Sequence, residues 1–115
     1  MQSTNRILTE LNKSSGIHQS LVVGRDGFVI DHVGDMEAES VGAVISTAIG
    51  AIEAMGKDCN QGALFEVMAE YKDGVVIAAP IGKDSVLGVV AEQGANLGAV
   101  RHSVKKIMQE LERAL

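Results

Sequence analysis

The chain is poor in the residue types on which several classes of functional site depend. Of its 115 residues one is a cysteine, so neither an intrachain disulfide nor a cysteine-rich zinc site can form. Its aromatic residues are Phe28, Phe65 and Tyr71, with no tryptophan, and these are too few for base stacking on a sheet or for an aromatic cage. A net charge of −5 argues against an extended contact with a nucleic-acid backbone, which needs a basic stripe.

No apolar run approaches the roughly 20 residues of a membrane span, and the first residues are too polar for a signal peptide. The sequence therefore predicts a soluble, cytoplasmic protein without a membrane span, in a reducing compartment that suits its single thiol. Its length predicts one domain over residues 1–115, large enough to bury a core without disulfides or metals.

Hydrophobic periodicity predicts the element order α-β-β-α-β-β-β-α. The predicted helices cover residues 3–14, 35–56 and the segment from Asn96 onward, and the predicted strands cover 17–23, 28–33, 64–71, 75–80 and 85–92. Hairpin connections indicate an antiparallel sheet, in which 28–33 and 64–71 have the mixed polarity of edge strands. The strands 75–80 and 85–92 are apolar on both faces, so helices must cover both sides of the sheet. The predicted fold class is α+β, with three α/β/α layers around five strands.

The long helix between Asp35 and Gly56 is the most informative segment. Asp35 is a suitable N-cap and Gly56 a suitable C-terminal stop. Three faces are predicted around the helix. An apolar stripe that should contact the sheet consists of Val41, Ile45, Ala48, Ile52 and Met55; a stripe of small residues consists of Ser40, Ala43, Thr47, Gly50 and Ala54; a polar sector consists of Glu39, Gly42, Ser46 and Glu53.

The small-residue stripe predicts close contact with another backbone. Gly50 in a helix interior costs about 1 kcal/mol relative to alanine, and tight packing against a second helix would offset that cost. We therefore expect the stripe to pair with its copy in a dimer, although packing within the monomer is an alternative. The polar residues Glu39, Ser46 and Glu53 would then line the outside of the helix pair, where a partner protein is expected to bind.

The order and spacing of several segments resemble the Roadblock/dynein-light-chain family across nearly the whole chain. LVVGRDGFVI resembles the first hairpin of the family, and VGAVISTAIGAIEAMG resembles its central helix. EYKDGVVIAAPIGKDSVLGVVAE and GANLGAVRHSVKKIMQEL resemble its C-terminal half. No single motif is diagnostic, and the likeness rests on all of them together.

The resemblance implies a homodimer, or a heterodimer with a paralogue, in which two central helices pack antiparallel and the third strands pair. It implies that Ala43, Thr47, Gly50 and Ala54 contribute to the dimer interface, together with Leu64, Glu66 and Met68 of the third strand. It also implies a non-catalytic module that binds, regulates or scaffolds a Ras-like small GTPase; some bacterial and archaeal members activate their GTPase by reshaping its loops.

The residues themselves indicate no catalytic, cofactor or metal site. His18, His32 and His102 lie on different elements without metal-ligand spacing, and Glu66 and Glu70 are about 14 Å apart along one strand, too far for paired acid/base catalysis. Arg25 is expected to be an exposed turn residue rather than an arginine finger. The alternative to a GTPase partner is a small-molecule sensor of the profilin-like or PAS-like type.

Overall fold

The computed structural model describes residues 3–14 and 16–115, and these residues form the eight elements in the predicted order. The helices are α1 (Thr4–Asn12), α2 (Ala38–Asp58) and α3 (Leu97–Ala114). The strands are β1 (Ile17–Gly24), β2 (Val29–Val33), β3 (Val67–Tyr71), β4 (Gly74–Ile81) and β5 (Ser85–Glu92). The predicted fold class and element order are confirmed.

The five strands form one antiparallel sheet in the order β2-β1-β5-β4-β3. The predicted edge strands, β2 and β3, lie at the two edges, and the doubly apolar β4 and β5 lie inside. β1 is an inner strand too, and it joins the first hairpin to the second through its ladder with β5. The polar residues His18 and Gln19 at its start conceal this central position in the sequence.

Helices cover both faces of the sheet and produce two separate hydrophobic clusters. On one face α1 and α3 pack on side chains such as Val22, Ile77 and Leu87. On the other face α2 packs through Ile45 and Ile49. The predicted three-layer arrangement therefore follows from strands that are buried on both faces.

Local capping explains α1 and α3 but not α2. Ser3 accepts a hydrogen bond from the Arg6 N–H, and Asn96 accepts one from the Ala99 N–H. The predicted start of α2 at Asp35 is wrong, because the helix begins at Ala38. The Asp35 carboxylate instead accepts a hydrogen bond from the side chain of Gln19 on β1, at 2.6 Å.

The predicted end of α2 is also wrong. The helix continues through Gly56 to Asp58, and the chain turns at Asn60, which has a φ of 59°. Asparagine tolerates this left-handed conformation better than most residues. Beyond it, β3 begins at Val67 rather than Leu64, because Leu64 packs on the α2 side of the core outside the strand.

By length and composition alone α2 would suffice to cross a membrane, and among the described residues it is the only helix of which this is true. Because α2 packs on the sheet through five buried residues, its length and composition also suit a core helix of a three-layer fold.

Candidate interaction surface

The face of α2 that contacts the sheet combines two isoleucines with three small residues. Its buried positions are Ala38, Gly42, Ile45, Ser46 and Ile49. A Cβ at Gly42 would stand 2.8 Å from a methyl group of Val29 and 3.2 Å from one of Val23, so only glycine allows the helix to approach the first hairpin this closely. The predicted faces are therefore rotated: Ala48 and Met55 of the expected sheet-facing stripe are exposed, whereas Gly42 and Ser46 of the expected polar sector are buried.

One flank of α2 is fastened to the turn between β1 and β2. The Arg25 guanidinium forms a two-point ion pair with the Glu53 carboxylate, whose second contact measures 3.0 Å. The Ser46 hydroxyl donates to the Arg25 carbonyl at 2.9 Å, and the Arg25 N–H donates to the Asp84 carbonyl at 2.9 Å. The hydrogen bond from Arg25 lowers the pKa of Glu53, and the same bond raises the pKa of Arg25.

We call the Arg25–Glu53 ion pair, together with the hydrogen bond from Ser46 to the Arg25 carbonyl, the latch. It changes the interpretation of Ser46, Glu53 and Arg25. Ser46 is buried beneath the helix and its hydroxyl is bonded, so the prediction that it contacts a partner is wrong. Glu53 is half-buried and paired with Arg25, while Glu39 is exposed and stays a predicted partner contact. Arg25 is also half-buried rather than an exposed turn residue, and its side chain is engaged within the chain.

The opposite flank of α2 faces the β3 edge of the sheet. Val41 packs in the same cluster as Leu64 of the α2–β3 connection and Val67 of β3. Further around the helix from Val41 lies an exposed row with four-three-four spacing, which consists of Val44, Ala48, Ala51 and Met55. Val44 is 67% exposed and Met55 is 60% exposed, so this flank leaves large apolar side chains in solvent.

The predicted small-residue stripe lies on the outer surface of α2, not on the flank next to β3. Ala43 is close to the hairpin turn, because a Cβ at Gly27 would stand 3.9 Å from its Cα. A Cβ at Gly50 would meet nothing within 4 Å, and Thr47 and Ala54 are exposed. The stripe and the β3 edge, which the sequence combines in one interface, therefore face different directions.

The residues before and within β3 alternate between the two sides of the sheet. Leu64 and Val67 pack on the α2 side, whereas Met68 packs against the cluster on the α1/α3 side. The Glu66 carboxylate forms an ion pair with Arg101 of α3, and the Glu66 side chain is only 14% exposed. Each of the three predicted interface residues here, Leu64, Glu66 and Met68, is thus half-buried within the monomer.

Among the residues that the structure describes, the most exposed large hydrophobic residue is Phe65, which lies in the predicted pairing strand 64–71 but was not one of the interface residues predicted by name. Phe65 is 86% exposed and Tyr71, at the end of β3, is 65% exposed. In this aromatic-poor chain two of the three aromatic residues fall within the predicted edge strand 64–71, so the sequence itself contains this signal. Exposed apolar side chains concentrated in one region indicate an interaction surface.

No group of three or more histidine, cysteine, aspartate or glutamate side chains suited to a metal occurs among residues 3–14 and 16–115. The three histidines are exposed on separate elements. Cys59 is exposed at the C-terminal end of α2.

The Roadblock/LC7 domain model matches residues 4–91 of the chain. Two uncharacterized proteins of Methanocaldococcus jannaschii, MJ1340 and MJ0310, are each 36% identical to this chain, over 94% of its length and 96% of their own.

Solved structures share the fold at lower identity. A Roadblock/LC7 domain from Streptomyces avermitilis superposes with a TM-score of 0.90 at 15% identity, covering 97% of both chains. MglB of Myxococcus xanthus superposes with a TM-score of 0.89 at 20% identity, covering 95% of this chain and 91% of MglB. Profilin II of Acanthamoeba castellanii has a TM-score of 0.63 at 16% identity, covering 91% of this chain and 95% of profilin.

Proposed function

The chain belongs to the Roadblock/LC7 family, and we propose that it is a non-catalytic, dimeric module that binds and regulates or scaffolds a Ras-like small GTPase. The observation that carries the dimer is the group of exposed apolar side chains beside the β3 edge. Of the seven large hydrophobic residues that are exposed within residues 3–14 and 16–115, four belong to α2 or flank or end β3: Val44, Met55, Phe65 and Tyr71. Their burial would supply the main driving force for association.

The proposed dimer pairs β3 with β3 of a second copy and packs the two α2 helices side by side. In an antiparallel helix pair Val44 would lie opposite Met55 of the partner subunit, and Ala48 opposite Ala51 of the partner subunit. The row is therefore self-complementary, as a two-fold interface requires. Small residues in the middle let the helices approach, and larger ones at the ends fill the remaining space.

This arrangement gives the small-residue stripe a different role from the one that the sequence predicts. Ala43, Thr47, Gly50 and Ala54 would remain on the outer surface of the helix pair, together with Glu39. We place the GTPase on this outer surface, because two adjacent helices with short side chains form a flat platform that a globular partner can approach closely. A heterodimer with a paralogue would present a similar platform.

The GTPase proposal rests on the family, and a direct experiment tests it. The purified protein is immobilised and exposed to lysate of its source organism, with a non-hydrolysable GTP analogue in one sample and GDP in another. We expect a small GTPase to be retained preferentially in one nucleotide state. Thr47→Arg on the platform should abolish retention, and Lys106→Glu, on α3, should leave it unchanged.

If no GTPase is retained in either state, the proposed partner is wrong. If one is retained, its rate of GTP hydrolysis with and without the wild-type protein distinguishes an activator from a scaffold. We expect any acceleration to persist in Arg25→Lys, because Arg25 is bound to Glu53 and is not available as an arginine finger.

A small-molecule sensor is the second candidate, and one feature favours it. An open cleft of about 600 Å³ lies where α1, α3 and the β4–β5 turn meet, lined by Thr4, Ile30, Ile81 and Leu115 among others. A ligand that raises the melting temperature of the wild type but not of Ile30→Arg would support this function. The GTPase proposal does not depend on this cleft.

A further inference from the structure

A groove of about 340 Å³ runs between α3 and the segment that leads into β3. Its apolar lining includes Leu64, Pro80 and Met108, and its cations are Arg101 and Lys105. Arg101 is engaged by Glu66, whereas Lys105 makes no ion pair with any residue that the structure describes. The groove therefore combines apolar surface with one free positive charge, in a chain whose net charge is −5.

The two-fold symmetry of a β3–β3 dimer determines what approaches this groove. In antiparallel pairing, residues that lie opposite each other point to the same face of the sheet. Met68 packs on the α1/α3 side, and Glu70, two residues further along β3, points to the same side and is exposed. A two-fold register centred on Ala69, the middle residue of β3, places Glu70 of the partner subunit opposite Met68, two residues from Glu66 in the lining of the groove.

We infer that this groove receives the end of β3 from a second copy of the chain, with Glu70 of the partner subunit paired to Lys105. The inference rests on the proposed dimer and specifies its electrostatics. Two copies of an acidic chain repel each other, and Glu70 would otherwise approach the Glu66 carboxylate. Arg101 and Lys105 of α3 offset both repulsions where the two β3 strands meet. The two-fold symmetry provides two such contacts per dimer.

The contact would also select the partner. A paralogue that lacks an acid at the position of Glu70, or a cation at that of Lys105, would lose one or both ion pairs. Charge pairs at the boundary of an interface contribute more to specificity and association rate than to affinity. The groove thus favours homodimers over mixed dimers.

A charge-reversal series in the full chain tests the inference. The dimer dissociation constant is measured by sedimentation equilibrium for the wild type, Lys105→Glu, the matched control Lys106→Glu, and the double variant Glu70→Lys/Lys105→Glu. Lys106 is the adjacent residue on α3 but faces α1, where it lines a different groove with Glu10 and Glu110. Circular dichroism verifies that each variant is folded.

We expect Lys105→Glu to raise the dissociation constant about tenfold, because two ion pairs become two repulsions. Lys106→Glu should change it less than about twofold, and the double variant should return to within about threefold of the wild type. Raising ionic strength from 0.05 to 0.5 M, which shortens the Debye length to roughly a third, should reduce the difference between the dissociation constants of the wild type and Lys105→Glu, because salt screens the ion pairs and the repulsions alike.

Equal effects of the two lysine substitutions, or failure of the double variant to recover, would overturn the inference while leaving the dimer intact. A wild-type chain that stays monomeric at millimolar concentration would overturn the dimer and the inference together. The two failures are therefore distinguishable.

Discussion

The two edges of the sheet are equally long but differ in how they are protected. β2 has an irregular register with β1, interrupted between Val22 and Val23. β2 also carries a charged residue, Asp31. Its carboxylate accepts hydrogen bonds from the His32 N–H at 2.8 Å and from the Asn5 side chain at 3.0 Å. β3, in contrast, pairs with β4 in unbroken register from Val67 to Tyr71.

Proteins commonly protect exposed edge strands with bulges and charges, because a flat, regular edge invites another strand. β2 carries both devices and β3 carries no bulge. The exposed β3 edge is therefore the one suited to pairing with another strand, and it is this edge that lies beside the exposed apolar row of α2.

Ala48→Arg should dissociate the dimer, because it places a charge in the middle of the proposed helix seam. Burying an unpaired charge at an interface costs about 3 kcal/mol or more, which corresponds to roughly a hundredfold rise in the dissociation constant. Ala43→Arg, on the flank of α2 nearer the first hairpin, should leave the dimer intact. Light scattering at micromolar concentration measures both. The opposite pattern would move the seam to the stripe of Ala43, Thr47, Gly50 and Ala54.

Phe65→Ser should weaken the dimer about tenfold or more, because a large aromatic side chain next to the β3 edge loses its buried surface. Ile30→Ser removes an exposed hydrophobic residue, 49% exposed, from the β2 edge and should have no such effect. Sedimentation equilibrium compares the two variants. Equal effects would mean that the edges do not differ in self-association.

Asp31→Ala should remove the protection of the β2 edge. We expect a loss of about 1 kcal/mol in the free energy of unfolding, because the His32 N–H and the Asn5 amide lose their acceptor, and a new concentration-dependent aggregation. Asp31→Asn retains an acceptor oxygen and separates the hydrogen bonds from the charge. Urea denaturation and static light scattering provide the measurements. Unchanged behaviour in Asp31→Ala would show that the bulge alone protects β2.

Glu53→Gln should have the smallest effect, about 1 kcal/mol at neutral pH, because water screens a half-exposed ion pair. The hydrogen bond from Arg25 lowers the pKa of Glu53, so its stabilisation is present above the usual carboxyl range and is lost as pH falls through the lowered pKa. The difference between the wild type and the variant should therefore shrink below about pH 4. Urea denaturation at pH 7 and pH 3 measures it, and a constant difference would contradict the latch.

The sequence predicted the elements whose causes are local. Ser3 and Asn96 define helix starts through contacts three residues away, and alternation identified the strands. The start of α2 was wrong because its cause is distant: Gln19 on β1 binds Asp35 and also accepts the Met36 N–H at 3.2 Å. No local pattern contains that contact.

The faces of α2 were rotated for a related reason. Hydropathy treats Gly42 and Ser46 as polar and therefore exposed, but Gly42 lies too close to Val29 and Val23 for a side chain, and the buried Ser46 hydroxyl donates to the Arg25 carbonyl. The pairing of Arg25 with Glu53, 28 residues apart, is equally invisible in a local pattern. The partner class follows from the resemblance to the family and stays a prediction, whereas the monomer structure was needed to separate the two flanks of the helix.

The central position of β5 also constrains how the chain folds during synthesis. β1 pairs with β5, which is about 65 residues further along the chain. The ladder that joins the two hairpins therefore cannot form until the ribosome has released β5. Such distant pairing slows folding, and until then α2 has an incomplete sheet on which to pack. The nascent chain would therefore expose the sheet-facing side of α2 from the time this helix is complete at Asp58 until β5 is complete at Glu92.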